Sequence, residues 1–273
     1  MEEEKINGQI CSQQLDVPDL IRHIQSLLTL DEAVRTCVLS KSWLHAWSTI
    51  PNLRFRQCAY PLSNGNKRKY ISLICRTLGR FHRDNIPITS FDLEFSIQDK
   101  KSHSLVDKWV QKVAYKTNCL KDLYLKLIFL KSTSSFTLTD EIFSCENLGT
   151  IIIMTSVEKY SYNDVTSLLL MYRELNSHPL VIIGSNPVIN CVNLRVLSLC
   201  RVYISEEVLH NLLTTCRLLE MIDLSFLKKG GSNMKIKVQN LAHLHNLKIT
   251  FMGKQKNDIL EIHDLPSLRS LFC

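Results

Sequence analysis

A short apolar pattern recurs along this 273-residue chain and limits what it can fold into more than any other feature. Written L-x-x-L-x-L, with Ile or Phe accepted, it reads Leu120, Leu123, Leu125; Leu148, Ile151, Ile153; and Leu194, Leu197, Leu199. It continues as Leu219, Ile222, Leu224, then Leu244, Leu247, Ile249, then Leu268 and Leu271 with Cys273 in the third place. An earlier variant, Ile88, Phe91 and Leu93, opens the series. From Leu123 onward the middle residues follow one another at intervals of 28, 46, 25, 25 and 24. The 46 is close to two periods, which predicts a degenerate copy around residues 168–183.

The 24–25-residue period falls in the roughly 20–29-residue range of leucine-rich repeats. Each unit is then a short strand plus a return segment whose apolar face is buried only by stacking on its neighbours. Strand alternation turns the intervening residues outward, onto the expected concave sheet. Those positions are Asp122, Tyr124 and Lys126; Val196 and Ser198; Asp223 and Ser225; Lys248 and Thr250. A uniform inward row beside a varied outward one predicts a surface that recognises a macromolecule.

Residues 15 to about 50 carry a different, helical periodicity. Ile21, Ile24 and Leu28 share one stripe, and Val34 and Val38 another. Asp31 and Glu32 begin the second helical pattern, where negative charge suits a helix N-terminus. Trp43 and Trp47 follow at i, i+4 on one helix face, and Pro51 closes the segment. The polar, turn-rich stretch from Cys58 to Lys69 reads as a loop, and Ile71 to Arg83 returns to helical spacing. Three parts are expected: a helical module over 12–52, a linker and helical connection over 53–85, and a repeat solenoid over 86–273.

The N-terminal residues carry a resemblance. V-P-D-L-I-R-H-I from Val17, A-V-R-T-C-V-L-S-K-S-W from Ala33 to Trp43, and W-S-T-I-P-N-L from Trp47 resemble a plant F-box. With Trp109 ahead of the first L-x-x-L-x-L copy, nearly the whole chain is similar to plant F-box/leucine-rich-repeat proteins. The resemblance implies an α+β architecture, a short helical F-box followed by a β/α solenoid. It also implies docking on a Skp-type adaptor and, through it, on a cullin scaffold. Carried over by position, the adaptor contacts would be Val17, Pro18, Ile21, Ile24, Leu28, Val34, Val38, Leu39 and Trp43. Four departures from the family pattern stand out: Val17 for Leu, a first helix one residue short between Asp19 and Ala33, Thr29 for Pro, and Ser42 for Arg. Many members carry a further domain after the repeats; with its last residue at Cys273, this chain is expected to lack it.

Other classes are disfavoured by composition and motif. Apolar residues make up 45% and charged residues 22%, the proportions of a folded chain rather than a disordered one. Apolar runs such as Leu168 to Tyr172 are far short of the ~20 residues that cross a bilayer, so no membrane partner is expected. The acidic start MEEEKINGQ is not a secretory signal. Ten cysteines without C-x-x-C spacing then read as reduced thiols, in the nucleus, the cytoplasm or both. Cys145, Cys191 and Cys216 share one phase of the repeat, C-x-x-L-x-x-L-x-L, as small apolar groups rather than zinc ligands. His243 and His245 form an H-x-H without a third ligand nearby, and Gly230-Gly231-Ser232 lacks the ending of a phosphate loop. No cofactor, metal or catalytic residue is expected. Lys67, Arg68, Lys69, Arg76, Arg80 and Arg83 group together as a solvated basic face, and nucleic acid is not the favoured partner.

The function expected from this reading is that of a substrate-recognition subunit of a Skp-cullin-F-box ubiquitin ligase. It would contribute no bond-making residue, and its repeats would hold an unidentified target protein. The alternative is an adaptor-independent repeat module with a degenerate F-box.

Overall fold

The computed structural model describes residues 17–28, 30–56, 64–114, 119–129, 136–157, 181–184, 187–227, 234–252 and 258–273. Cys11, Cys58, Thr29, the Gly230–Ser232 stretch and most of the expected degenerate repeat lie outside them. The chain divides into two compact units, Met1–Ile50 and Pro51–Cys273.

The first unit is three helices: α1 (Val17–Leu27), α2 (Leu30–Thr36) and α3 (Lys41–Ser48). Pro18 suits the first turn of α1, where a missing N–H costs nothing, and Asp19 places negative charge at the same end. Ser40 caps α3, its hydroxyl accepting a hydrogen bond from the Trp43 N–H at 3.3 Å. The core is small, built from Ile21, Ala33, Ala46 and Ile50. Gln25 is buried with them, and its Nε2 donates to Thr36 Oγ1 at 2.8 Å and to the Trp43 carbonyl at 3.1 Å. One amide thereby ties α1 to both other helices. Val38, expected on a helical stripe, stands instead in the turn between α2 and α3. There the N–H groups of Cys37 and Leu39 close back onto the carbonyls of Val34 and Thr36.

The second unit is built on an eight-stranded parallel sheet. Its strands, in spatial order, are β1 (Asn52–Phe55), β2 (Ser90–Ile97), β3 (Asp122–Phe129), β5 (Thr150–Val157), β7 (Val196–Cys200), β9 (Met221–Leu227), β11 (Asn246–Met252) and β13 (Ser270–Phe272). The register aligns Leu53, Phe91, Leu123, Ile151, Leu197, Ile222, Leu247 and Leu271 in one inward row. The repeat read from the sequence is therefore the inter-strand register itself. A second inward row runs from Phe55 through Leu93, Leu125, Ile153, Leu199 and Leu224 to Ile249. Short strands on the return limbs form two further parallel sheets: β4 (Phe136–Leu138), β6 (Val181–Ile183) and β8 (Val202–Tyr203), and β10 (Lys235–Gln239) with β12 (Ile259–His263).

Backbone hydrogen bonds at the strand entries join all eight strands. The Pro51 carbonyl accepts from the N–H groups of Thr89 and Ser90, and that of Thr89 accepts from Lys121 and Asp122. Lys121, Gly149, Arg195, Glu220 and His245 repeat the arrangement as far as Ser270. Four return limbs end in a tight turn where a leucine N–H meets a carbonyl three residues earlier. The pairs are Leu148 with Cys145, Leu194 with Cys191, Leu244 with Leu241 and Leu268 with Leu265. Leucine fills in two repeats the place that cysteine fills in others, which agrees with the reading of these cysteines as apolar filler.

Two expectations are corrected. The linker over 53–85 is instead part of the repeat unit, supplying β1 and the 20-residue helix α4 (Asn64–Arg83). Its polar start, read as loop as far as Lys69, is helical from Asn64 because tertiary contacts hold it. The Tyr70 hydroxyl donates to the Glu94 carbonyl at 2.8 Å, and the Lys67 ammonium lies 5.5 Å from the centre of the Phe95 ring. The 46-residue interval does not add a strand to the main sheet either: β5 pairs directly with β7, Ile151 opposite Leu197. Its described part, Val181–Ile183, belongs to the smaller sheet with β4 and β8.

Helix α5 (Lys100–Ala114) packs Trp109 edge-on against Phe95, ring centres 5.1 Å apart, and Phe95 also stacks with Tyr70 of α4. Helix α6 (Glu206–Thr215) is capped by Ser205 and buries Val208, Leu209, Leu212 and Leu213. Burial falls off at the last strand: Leu247 is 0% exposed and Leu271, its neighbour in the row, 48%.

Candidate functional site

Two faces present chemistry that the packing does not consume, one in each unit. In the first, Val17, Leu20, Ile24 and Leu27 follow one another at intervals of three and four along α1, and all four are exposed. The opposite side of the same helix is buried through Ile21 and Gln25. Helix α1 is therefore apolar on two sides, and its own module covers only one. The turn after α2 adds Val38, 87% exposed, and Leu39, and Leu44 of α3 is exposed as well.

The expected adaptor contacts divide accordingly. Val17, Pro18, Ile24, Val38 and Leu39 are exposed, and Leu28, Val34 and Trp43 are half-buried. Ile21 is corrected: at 7% exposure it belongs to the core of its own module. Leu20, Leu27 and Leu44 were not singled out from the sequence. The spacing of Val17, Leu20, Ile24 and Leu27 was the available signal, but two overlapping apolar stripes on one helix cannot be sorted by periodicity alone.

In the second unit the outward side chains of the sheet form rows in the same register. The central row reads Arg54, Asp92, Tyr124, Ile152, Ser198, Asp223, Lys248 and Phe272. A neighbouring row carries Glu94, Lys126, Met154, Cys200, Ser225 and Thr250. Asp122 and Val196 stand one step earlier on their strands, opposite Thr150. Of the expected face, Ser198 is corrected to a floor position at 9% exposure. The other seven, Asp122, Tyr124, Lys126, Asp223, Ser225, Lys248 and Thr250, retain accessible surface.

Charge on this face is unevenly distributed. Asp92 accepts from Arg56 Nη2 at 2.5 Å, with Arg54 Nε at 3.5 Å. Glu94 lies 3.3 Å from Lys126 Nζ and 4.0 Å from Arg56. Burial holds the Asp92 carboxyl above its ordinary value of 3.8, outweighing the pull of the two arginines. The Tyr124 phenol is raised by burial and by Asp122, so it stays protonated and able to donate. Across β5 and β7 both rows are uncharged, with Ile152 in the central row and the exposed Met154 in its neighbour. Beyond them Lys248 Nζ meets Asp223 Oδ2 at 3.1 Å, and Phe272 stands exposed. The sheet face thus has an uncharged, partly apolar centre between hydrogen-bonding and charged flanks. Arg54 escaped the sequence reading because Leu53 and Phe55 carry only half of the repeat pattern, whereas Asp92 and Glu94 alternate with Phe91 and Leu93 and were open to the same period-2 reading.

The three cysteines that share a phase of the repeat, Cys145, Cys191 and Cys216, are buried, whereas Cys75, Cys119 and Cys273 are exposed. Cys191 and Cys216 are fully buried with their Sγ atoms 3.6 Å apart, and burial pushes the Cys145 thiol up to about 11. That thiol is protonated at neutral pH, the wrong state for a metal ligand. Among the described residues no group of three His, Cys, Asp or Glu side chains is placed to hold a metal ion. His243 stands exposed in a turn and His245 at the entry to β11. Among the same residues no helix is long and apolar enough to cross a membrane.

Comparison with known proteins gives a consistent set of matches. A family model described as "FBD-associated F-box protein At5g56370, LRR repeats" matches residues 161–273. The Arabidopsis thaliana F-box/FBD/LRR-repeat protein At1g13570 is 26% identical over 231 residues, covering 84% of this chain and 47% of that protein. The putative F-box/LRR-repeat protein At3g58880 from the same plant is 31% identical over 116 residues, 40% of this chain and 25% of its own length. The Arabidopsis putative FBD-associated F-box protein At5g56410 is 24% identical over 265 residues, 92% of this chain and 47% of that protein. The chain spans about half the length of the curated relatives that it matches over most of its own. No solved structure matches it.

Proposed function

Taking the chain as a plant F-box/leucine-rich-repeat family protein, which the family match and the Arabidopsis relatives support, we propose that it is a substrate-recognition subunit of a Skp-cullin-F-box ubiquitin ligase. The observation that carries this reading is the uncovered apolar stripe of Val17, Leu20, Ile24 and Leu27, together with the exposed Val38 and Leu39. A three-helix module that leaves so much apolar surface to water is built to be covered. In this reading a Skp-type adaptor covers it and links the chain to a cullin scaffold, in the nucleus or the cytoplasm. The outward face of the eight-stranded sheet then holds the target protein. Catalysis is left to an enzyme carried elsewhere in the assembly: holding a target nearby raises the local concentration of its lysines without any bond-making residue here. Degradation of the target by the proteasome is the expected consequence.

Co-expression with a plant Skp-type adaptor, followed by size-exclusion chromatography at moderate salt, tests the reading. A stable one-to-one complex is expected, and replacing the exposed Pro18 and Leu39 together by glutamate should abolish it. Separate elution of two folded proteins would leave an adaptor-independent repeat module with a degenerate F-box.

A further inference from the structure

The positive charge of this protein is concentrated on one helical layer. Helix α4 holds six lysines and arginines and no carboxylate, and α5 holds four against the single Asp107. Together they exceed the net charge of +7 of the whole chain, so the remainder is net acidic. Asp107 is engaged on its own side, Oδ1 accepting from the Thr139 N–H at 2.8 Å. Arg83 meets Asp84, the next residue along the chain. Among the described residues, none of Arg68, Lys69, Arg76, Lys108 and Lys112 has a carboxylate partner.

Between the two helices lies a groove of about 440 Å³. Its floor is apolar, from Leu105 and the edge of Trp109, with the exposed Cys75 on the α4 side. Lys108, Lys112 and His82 stand on the rim, and Glu141 is the one carboxylate of the lining. A second hollow, of about 110 Å³, shares His82 and Lys112 and continues the groove over Leu78, Phe81 and Ile86. The main groove alone is within the ~300–1,000 Å³ of sites that enclose a ligand group.

We propose that this groove binds an acidic amphipathic peptide segment of a partner protein, with an apolar side chain seated over Leu105 and Trp109 and carboxylates facing Lys108 and Lys112 beside the basic helix α4. The proposal goes beyond the reading above, since neither the apolar stripe of α1 nor the outward face of the sheet takes part. Three observations favour a peptide over other anions. The lysines that line the groove, Lys108 and Lys112, stand one turn apart on one helix face, the spacing at which an acidic amphipathic helix presents successive carboxylates. No large apolar residue on α4 or α5 is exposed for insertion into a bilayer. The basic residues are not interleaved with exposed aromatic rings on which bases would stack.

The test uses the full chain and a fluorescein-labelled peptide of about twelve residues, rich in glutamate, with two leucines on one helical face. Fluorescence anisotropy at low salt should show saturable binding, weaker for the same peptide with both leucines changed to serine. Lys108→Glu with Lys112→Glu, both solvent-exposed, should weaken binding about tenfold or more, since two attractions become repulsions. Cys75→Trp, which fills the groove without altering charge, should remove the advantage of the leucines and leave the serine peptide unaffected. Circular dichroism confirms that each variant is folded. Absence of binding, or binding that neither variant weakens, overturns the proposal. Equal or tighter binding of a labelled oligothymidine, or of vesicles containing phosphatidylglycerol, would overturn it in favour of a nucleic acid or a membrane surface.

Discussion

At the scale of single residues, burial decides which chemistry is offered and which is spent. Ile21 and Ile24 are three residues apart on one helix, yet the first is core and the second surface, because α2 and α3 cover only the side that Gln25 marks. Asp92 is a second case. Two arginines pull its carboxyl toward ionisation, but burial has the larger effect and raises it above 3.8. The folded protein therefore binds this proton more readily than the unfolded chain does. The contribution of Asp92 to stability is complete below the ordinary carboxylate value and is lost as pH rises through the raised one. A carboxyl-carbon NMR titration should place its midpoint above 3.8, and Arg56→Ala should move it further up. A midpoint below 3.8 would mean that the ion pairs outweigh burial.

Among the elements, the helices show how local signals and tertiary contacts share the work. Helix α5 starts where Asp99 accepts from the Ser102 N–H at 2.8 Å and from its hydroxyl at 2.7 Å, a cap legible in the sequence D-K-K-S. Those bonds hold the Asp99 carboxyl below its ordinary 3.8, the reverse of Asp92. Asp99→Ala should cost about 0.5–2 kcal/mol by chemical denaturation at neutral pH. The difference from wild type should shrink as pH falls through the depressed value, because the protonated side chain caps poorly. Helix α4 is the contrasting case. Its first turn, N-G-N-K, has the composition of a loop, and only the packing of Tyr70 and Lys67 against β2 makes it helical. No local pattern carries that information.

The whole repeat unit behaves as a stack in which each strand depends on its two neighbours. Leu197, fully buried between β5 and β9, should cost about 2–5 kcal/mol as alanine. Leu271 holds the same position in the row on β13, but half of it already faces water, so Leu271→Ala should cost less than about 1 kcal/mol. Urea denaturation of both variants checks the gradient, and equal losses would contradict a stack that loosens toward β13. The same dependence on neighbours explains why the 46-residue interval misled a period-based reading. No strand of the main sheet lies between β5 and β7, and the pairing of Ile151 with Leu197 is decided across the sheet.

The amino-acid sequence by itself determined the inward rows of the sheet, the α+β class, the two amphipathic regimes and the family resemblance. Each of these rests on residues a fixed number of positions apart, and periodicity survives in one dimension. The tertiary structure alone decided which of two apolar stripes on α1 is left uncovered and that β1 and α4 join the repeat unit. It alone set Arg54 and Arg56 beside Asp92 and opened a cation-rimmed groove between α4 and α5. Those outcomes depend on which surfaces meet, and burial is a property of neighbours that are distant in the chain.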